Sequence, residues 1–196
     1  SSDDGFNAAG GADGSSMGGP RGNDSFAADS SKSLVITGGT ITVNAQGDGL
    51  DSNGTLSIEG GTIYVSGPTN SGNGALDSAS TMTISGGVVI AAGSAGMAQG
   101  FDQTSSQLSI SYTFTSAQAA GTTITLKDAS GNTVASYTPE KTFQNVIFSS
   151  PGLSAGQSYS LYAGSSLVDT ITLTGTVTSI GSSGMNDGFG GGQRSG

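Results

Sequence analysis

The sequence predicts an all-β protein. A right-handed parallel β-helix is read over residues 1–102, a small antiparallel β cap over residues 103–178 and a Gly/Ser-rich tail over residues 179–196. Three observations lead there. A segment opening Asp-Ser recurs three times in register. Its apolar residues are spaced by two. A Gly-Gly pair falls at the same place in every copy.

The copies run from Asp29 to Val43, from Asp51 to Val65 and from Asp77 to Ala91, and they superimpose without gaps. Five residues after each Asp comes Leu34, Leu56 or Met82, and two further on Ile36, Ile58 or Ile84. The pairs Gly38-Gly39, Gly60-Gly61 and Gly86-Gly87 follow, and then Ile41/Val43, Ile63/Val65 and Val89/Ala91. A spacing of two on both sides of the glycines is strand periodicity. Each copy is therefore strand, tight corner, strand, with glycine giving the corner its freedom. The offsets are 22 and 26 residues, and the extra four fall around Gly67-Pro68-Thr69-Asn70, as an outer-loop insertion would. Repeats of this length bury their apolar sides only by stacking, which predicts columns Leu34–Leu56–Met82, Ile36–Ile58–Ile84 and Ile41–Ile63–Val89. A hydrophobic content of 33%, with 35 glycines, suits a thin core along one axis.

Partial repeats flank these. Asp4-Gly5-Phe6-Asn7 matches Asp48-Gly49-Leu50-Asp51, with a Gly-rich insertion after it at about residues 10–22. Gly96-Met97-Ala98-Gln99 opens a last turn of the pattern. Beyond Phe101, residues 107–115, 122–127, 133–138, 144–149, 157–163 and 167–173 read as six strands separated by turn signals, a module covering the solenoid's end.

Composition narrows the chemistry. There is no Cys, His or Trp, which removes thiol chemistry, the usual general base and the usual zinc ligands. No apolar run approaches a membrane span. Of the net charge of −9, residues 1–102 carry −8 (ten acids against Arg21 and Lys32) and residues 103–196 carry −1 (four acids against three bases). Such a first half repels nucleic acid and attracts hard cations with oxygen ligands, such as calcium; solubility alone also accounts for an acidic balance. The chain opens on Ser1 without a signal peptide and reads as processed or excised from something longer.

Asp48, Asp51 and Asn53 cluster at one turn, with Asn73 and Asp77 expected one repeat above and Asp4 and Asn7 one below. Carboxylates stacked at about 4.8 Å repel unless a cation bridges them, so this column is the candidate calcium site. Asp-Gly and Asn-Gly pairs also make Asx turns without any metal. Tyr64, between inward Ile63 and Val65, is the candidate sugar-stacking aromatic; a strand-surface tyrosine is the plainer reading. Without a nucleophile–base pair, catalysis is not expected, and the carboxylate pair Asp48/Asp51 is read as ligation rather than glycoside hydrolysis.

Several runs carry a family resemblance: Gly47-Asp48-Gly49-Leu50-Asp51-Ser52-Asn53-Gly54, Gly60-Gly61-Thr62, Val65 through Asp77, Ala91 through Gln99, Ala120 through Asp128, and Tyr137-Thr138-Pro139. Together they resemble a bacterial family of secreted, carbohydrate-binding parallel β-helix proteins related in shape to pectate lyases. The resemblance runs from the Asp4 turn to about Leu173 and matches the C-terminal half of the longer members. It implies bound calcium, an extracellular or cell-surface setting, and binding of acidic polysaccharide such as polygalacturonate, or of cellulose. An alternative stays open from the residues themselves. A β-helix with an unpaired edge at its start can stack end to end with identical subunits into a fibre. A weak polysaccharide lyase is the third reading.

Overall fold

The computed structural model describes residues 1–8, 29 and 31–181. It is all-β, with sixteen strands and no helix among the described residues. The first nine strands come in threes: β1 (Phe6–Ala8), β2 (Ser33–Ile36), β3 (Thr40–Asn44); β4 (Leu50–Ser52), β5 (Thr55–Ile58), β6 (Thr62–Ser66); β7 (Leu76–Ser78), β8 (Met82–Ile84), β9 (Val88–Gly93). Each strand pairs in parallel with its counterpart in the next repeat, giving the stacks β1-β4-β7, β2-β5-β8 and β3-β6-β9.

The expected columns are present. Leu34 aligns with Leu56 and Met82, Ile36 with Ile58 and Ile84, and Ile41 with Ile63 and Val89. They meet Leu50, Leu76, Val65 and Ala91 in one apolar core. Burial deepens along the stack. Leu34 and Ile41 of the first repeat are only partly covered, whereas Leu56 and Ile63 are fully enclosed. Phe6 and Val35, on edge strands of that repeat, are 44% and 49% exposed.

At the far end, residues 99–107 close the third repeat. The amide of Ser78 donates to Gln99 Oε1 (3.2 Å), that of Met82 to Asp102 Oδ2 (2.6 Å) and that of Ile84 to Ser105 Oγ (3.1 Å). Backbone amides of Asp102, Ser106 and Gln107 return bonds to the carbonyls of Met82 and Ile84. Strand amides that would otherwise stand open at the edges of two stacks thus find partners.

Seven further strands follow: β10 (Ser109–Gln118), β11 (Ile124–Lys127), β12 (Thr133–Tyr137), β13 (Phe143–Ser149), β14 (Ser158–Ala163), β15 (Ser166–Thr172) and β16 (Val177–Ile180). They depart from the expected six-stranded antiparallel cap in two ways. First, β13 pairs antiparallel with β9 and β10 with β13, so one six-stranded sheet, β16-β10-β13-β9-β6-β3, runs across the 102/103 boundary. Second, a seventh strand, β16, lies parallel to β10 and reaches past residue 178. The remaining strands form an antiparallel sheet, β12-β11-β14-β15.

A second core unites the two sheets. It joins Ile90, Ala92 and Phe148 to Ile124, Leu126, Leu161 and Ile171, with Tyr64 packed against it. Strand β9 explains the arrangement. Val89 and Ala91 belong to the first core, while Ile90 and Ala92, pointing the opposite way, belong to the second. A strand buried on both faces reads as a continuous apolar run, and Val88-Val89-Ile90-Ala91-Ala92 is one. The Gly-rich insertion at 10–22 and the tail beyond Gly181 lie outside the described residues.

Candidate metal centre and its surroundings

The stack β1-β4-β7 builds an acidic cluster. Asn7, Asp51 and Asp77 align as register partners, one per repeat. Three residues earlier, Asp4 and Asp48 occupy equivalent turns, and each spans to the next repeat. Asp4 Oδ1 accepts from the Asp48 amide (2.8 Å), and Asp48 Oδ1 accepts from the Gly74 amide (2.6 Å). The carboxylates thus act as caps between turns, as Asx chemistry allows.

Asp48, Asp51 and Asp77 each bring a carboxylate oxygen within 4.8 Å of the others. Asp51 is only 7% exposed. Burial pushes the Asp48 carboxyl up to about 6, and the neighbouring charges of Asp77 and Asp4 add to the rise against the Gly74 hydrogen bond. Burial lifts Asp51 further, to about 7, with Asp77, Asp48 and Asp4 contributing. Asp77 is raised by burial and then by Asp4, while its hydrogen bond from Gln99 Nε2 acts in the opposite sense. Among the described residues, the ion pair Lys32–Asp29 (3.8 Å) lies elsewhere, and no cationic side chain balances the cluster.

Asp4 also lies in the field of the cluster, adding to the rise of all three carboxyls. Asp4 stands beside the cluster and accepts from Asn7 Nδ2 (2.6 Å), so these two residues bond to each other below it. Asn73 is one residue out of step, since Gly74 occupies the turn position equivalent to Asp48. Its carbonyl accepts from Ser94 Oγ (2.7 Å), and the Asn53 carbonyl accepts from the Asp29 amide (2.7 Å). Gln99 was not foreseen. Its amide reaches Asp77 from the segment that closes the third repeat, and the only sequence signal for it was the partial repeat Gly96-Met97-Ala98-Gln99.

Tyr64 points away from the first core, as its place between Ile63 and Val65 requires, and its ring is half-buried. Tyr137 stacks on it with centroids 5.1 Å apart and planes 20° from parallel, and Tyr137 Oη shares a hydrogen bond with Ser66 Oγ (2.7 Å). This pair ties β12 to β6. Tyr64→Ala is expected to lower unfolding stability by about 2 kcal/mol in a denaturant titration, through lost stacking and burial. A loss of glycan binding with no change in stability would instead mark the ring as a sugar platform.

An all-β chain with stacked repeats and a half-buried acidic cluster is the class that the fold and site define. Residues 21–191 match the model of the family described as carbohydrate-binding domain-containing protein, and the chain belongs to that family. No curated protein and no solved structure gives a significant match.

Proposed function

We propose that the chain is an extracellular, calcium-stabilised β-helix module that binds acidic polysaccharide without catalysing its breakdown. Family membership supports the carbohydrate partner. The cyclic return of the chain through three parallel stacks supports reading the first nine strands as β-helix turns. The observation that carries calcium is the convergence of Asp48, Asp51 and Asp77 within 4.8 Å without a balancing cation among the described residues. Calcium takes six to eight oxygen ligands, carboxylates prominent among them, and the donors fit that preference. Held by Asp48, Asp51 and Asp77, an ion would neutralise the cluster and pin neighbouring turns.

Fibre growth by end-to-end stacking is the second reading. The edges of β1, β2 and β3 favour it, because among the described residues no strand pairs with their outer side. Head-to-tail growth needs both ends open, and residues 99–107 occupy the amides of Ser78, Met82 and Ile84 at the other end.

Isothermal calorimetry of calcium into the metal-free chain tests the first reading. A saturable heat is expected, weakened at least about tenfold in Asp51→Asn, since a lost charged ligand is worth more than 1.4 kcal/mol. An absence of heat in the wild-type chain would remove calcium from the proposal. Incubation with polygalacturonate is expected to release no unsaturated uronide.

A further inference from the structure

The outer face of the β12-β11-β14-β15 sheet has an unexplained composition. Its inner face is apolar, with Ile124, Leu126, Ala135, Leu161 and Ile171 in the second core. Alternation sends Thr125, Lys127, Ser160, Tyr162 and Thr170 outward. Hydroxyl pairs hydrogen-bond along this side: Thr125 with Ser136 (3.0 Å), Thr123 with Thr138 (2.8 Å) and Ser158 with Thr172 (2.8 Å).

One spot on this polar face differs. Leu167, 56% exposed, is the register partner of Tyr162. A register shift in β14–β15 at Leu161/Tyr162 makes this possible. It leaves Val168 packed against the core and turns Leu167 out. Phe6 and Val35, the other large exposed apolar side chains among the described residues, sit on edge strands of the first repeat. Leu167 also lies on an edge strand, β15, but it stands on a sheet face otherwise built of hydroxyls. On the other side of Tyr162, Lys127 Nζ lies 5.1 Å from the ring centroid. Among the described residues no carboxylate forms an ion pair with Lys127. Asp169 turns the opposite way, toward Tyr112, and Asp128 is engaged by Asn132 and Ser130 in its own turn.

We infer that Tyr162, Leu167 and Lys127 form a subsite for a uronate unit of a polysaccharide lying across the outer face of this sheet. A pyranose has an apolar C–H face and a rim of hydroxyls. The ring of Tyr162 and the Leu167 side chain match the first, and Thr125, Ser160 and Thr170 match the second. A uronate adds one carboxylate, and Lys127 supplies an ammonium where no acid competes. Charge complementarity points the same way. Residues 1–102 carry −8 and repel a polyanion, so contact falls on the nearly neutral second half.

This inference rests on the carbohydrate-binding reading and locates it. Affinity electrophoresis of the full chain in gels containing polygalacturonate or a neutral β-glucan, with calcium throughout, tests both. The wild-type chain is expected to be retarded by polygalacturonate. Tyr162→Ala and Leu167→Ser should each weaken that binding about tenfold, with Tyr162→Phe behaving as wild type. Lys127→Gln should weaken it about fivefold and reduce its salt dependence. All four variants are on the surface and should melt as the wild type does. Retention of full binding in Tyr162→Ala and Leu167→Ser overturns the location and leaves the carbohydrate reading standing. Unchanged binding in Lys127→Gln, or equal retardation by the neutral glucan, overturns the uronate assignment. Failure of the wild-type chain to bind either polymer overturns both readings together.

Discussion

Gly61→Ala should unfold the chain with a loss of about 2–4 kcal/mol, and Gly39→Ala with about half that loss or less. Both glycines take the second place of a Gly-Gly corner, with φ of 97° and 88°, in the left-handed region that an L side chain enters at a cost of about 1–2 kcal/mol. Their surroundings differ. A Cβ on Gly39 would meet nothing within 4 Å, because Gly39 lies in the outermost repeat. A Cβ on Gly61 would stand 2.9 Å from the Gly39 carbonyl oxygen and 3.0 Å from the Gly38 carbonyl carbon. That same Gly39 oxygen accepts the Thr62 amide at 2.9 Å, so relief by movement would strain a bond between repeats. Chemical denaturation of the two variants measures the difference. Equal losses would mean that the corners are not in close contact and that only backbone conformation matters there.

The second large effect is a reversal of the pH dependence of stability by calcium. Asp48 and Asp51 sit at about 6 and about 7 in the folded chain against 3.8 for a free aspartate. A raised carboxyl binds its proton more tightly when folded. Its contribution is therefore full below about pH 4 and disappears as the pH climbs through 6 and 7. Without metal, the chain should lose about 2 kcal/mol between pH 5 and pH 8, allowing for screening of these partly solvated groups. Calcium needs the ionised carboxylates, so its stabilisation should grow over the same interval. Asp29 and Asp128, held low by hydrogen bonds in exposed turns, change stability only at lower pH and do not overlap that window. Melting curves in chelator and in millimolar calcium at pH 5 and pH 8 decide the matter, with Asp51→Asn expected to flatten both. A metal-free chain that melts higher at pH 8 than at pH 5 would contradict the electrostatics of the cluster.

The repeats were legible because stacking leaves a signature in one dimension. Residues that share a column, such as Ile36, Ile58 and Ile84, recur at the repeat length whatever lies between them. The alignment of Asn7 with Asp51 and Asp77 followed from the same register. What the residues did not disclose is contact between elements that share no register. Tyr64 looked like a free outward ring because nothing in its own repeat announces Tyr137, 73 positions later, lying on it. The antiparallel joint of β13 to β9 was equally hidden, although Ile90 and Ala92 at outward positions were a clue that both faces of that strand needed cover. Strand β16 was missed because its flanking glycines and serines resemble the tail composition that follows. Leu167 escaped notice because a register shift, invisible to a period-two count, decides which way it faces.

The closure of the third repeat by Gln99, Asp102 and Ser105 gives disassembly a direction. A column of stacked turns behaves as a chain of nearest neighbours, and melting starts at whichever end has the weaker boundary. At one boundary, Leu34 and Ile41 are half-covered, and among the described residues β1, β2 and β3 have a single strand neighbour each. At the other, β9 is held on both edges and both faces, and the amides beside it are already occupied. Warming therefore frays the molecule from the first repeat inward, and amide protons in β1 to β3 exchange before those in β7 to β9. Refolding runs the other way, from the β9–β13 joint outward, so that the acidic cluster assembles when β4 finds its register on β7, before β1 is in place.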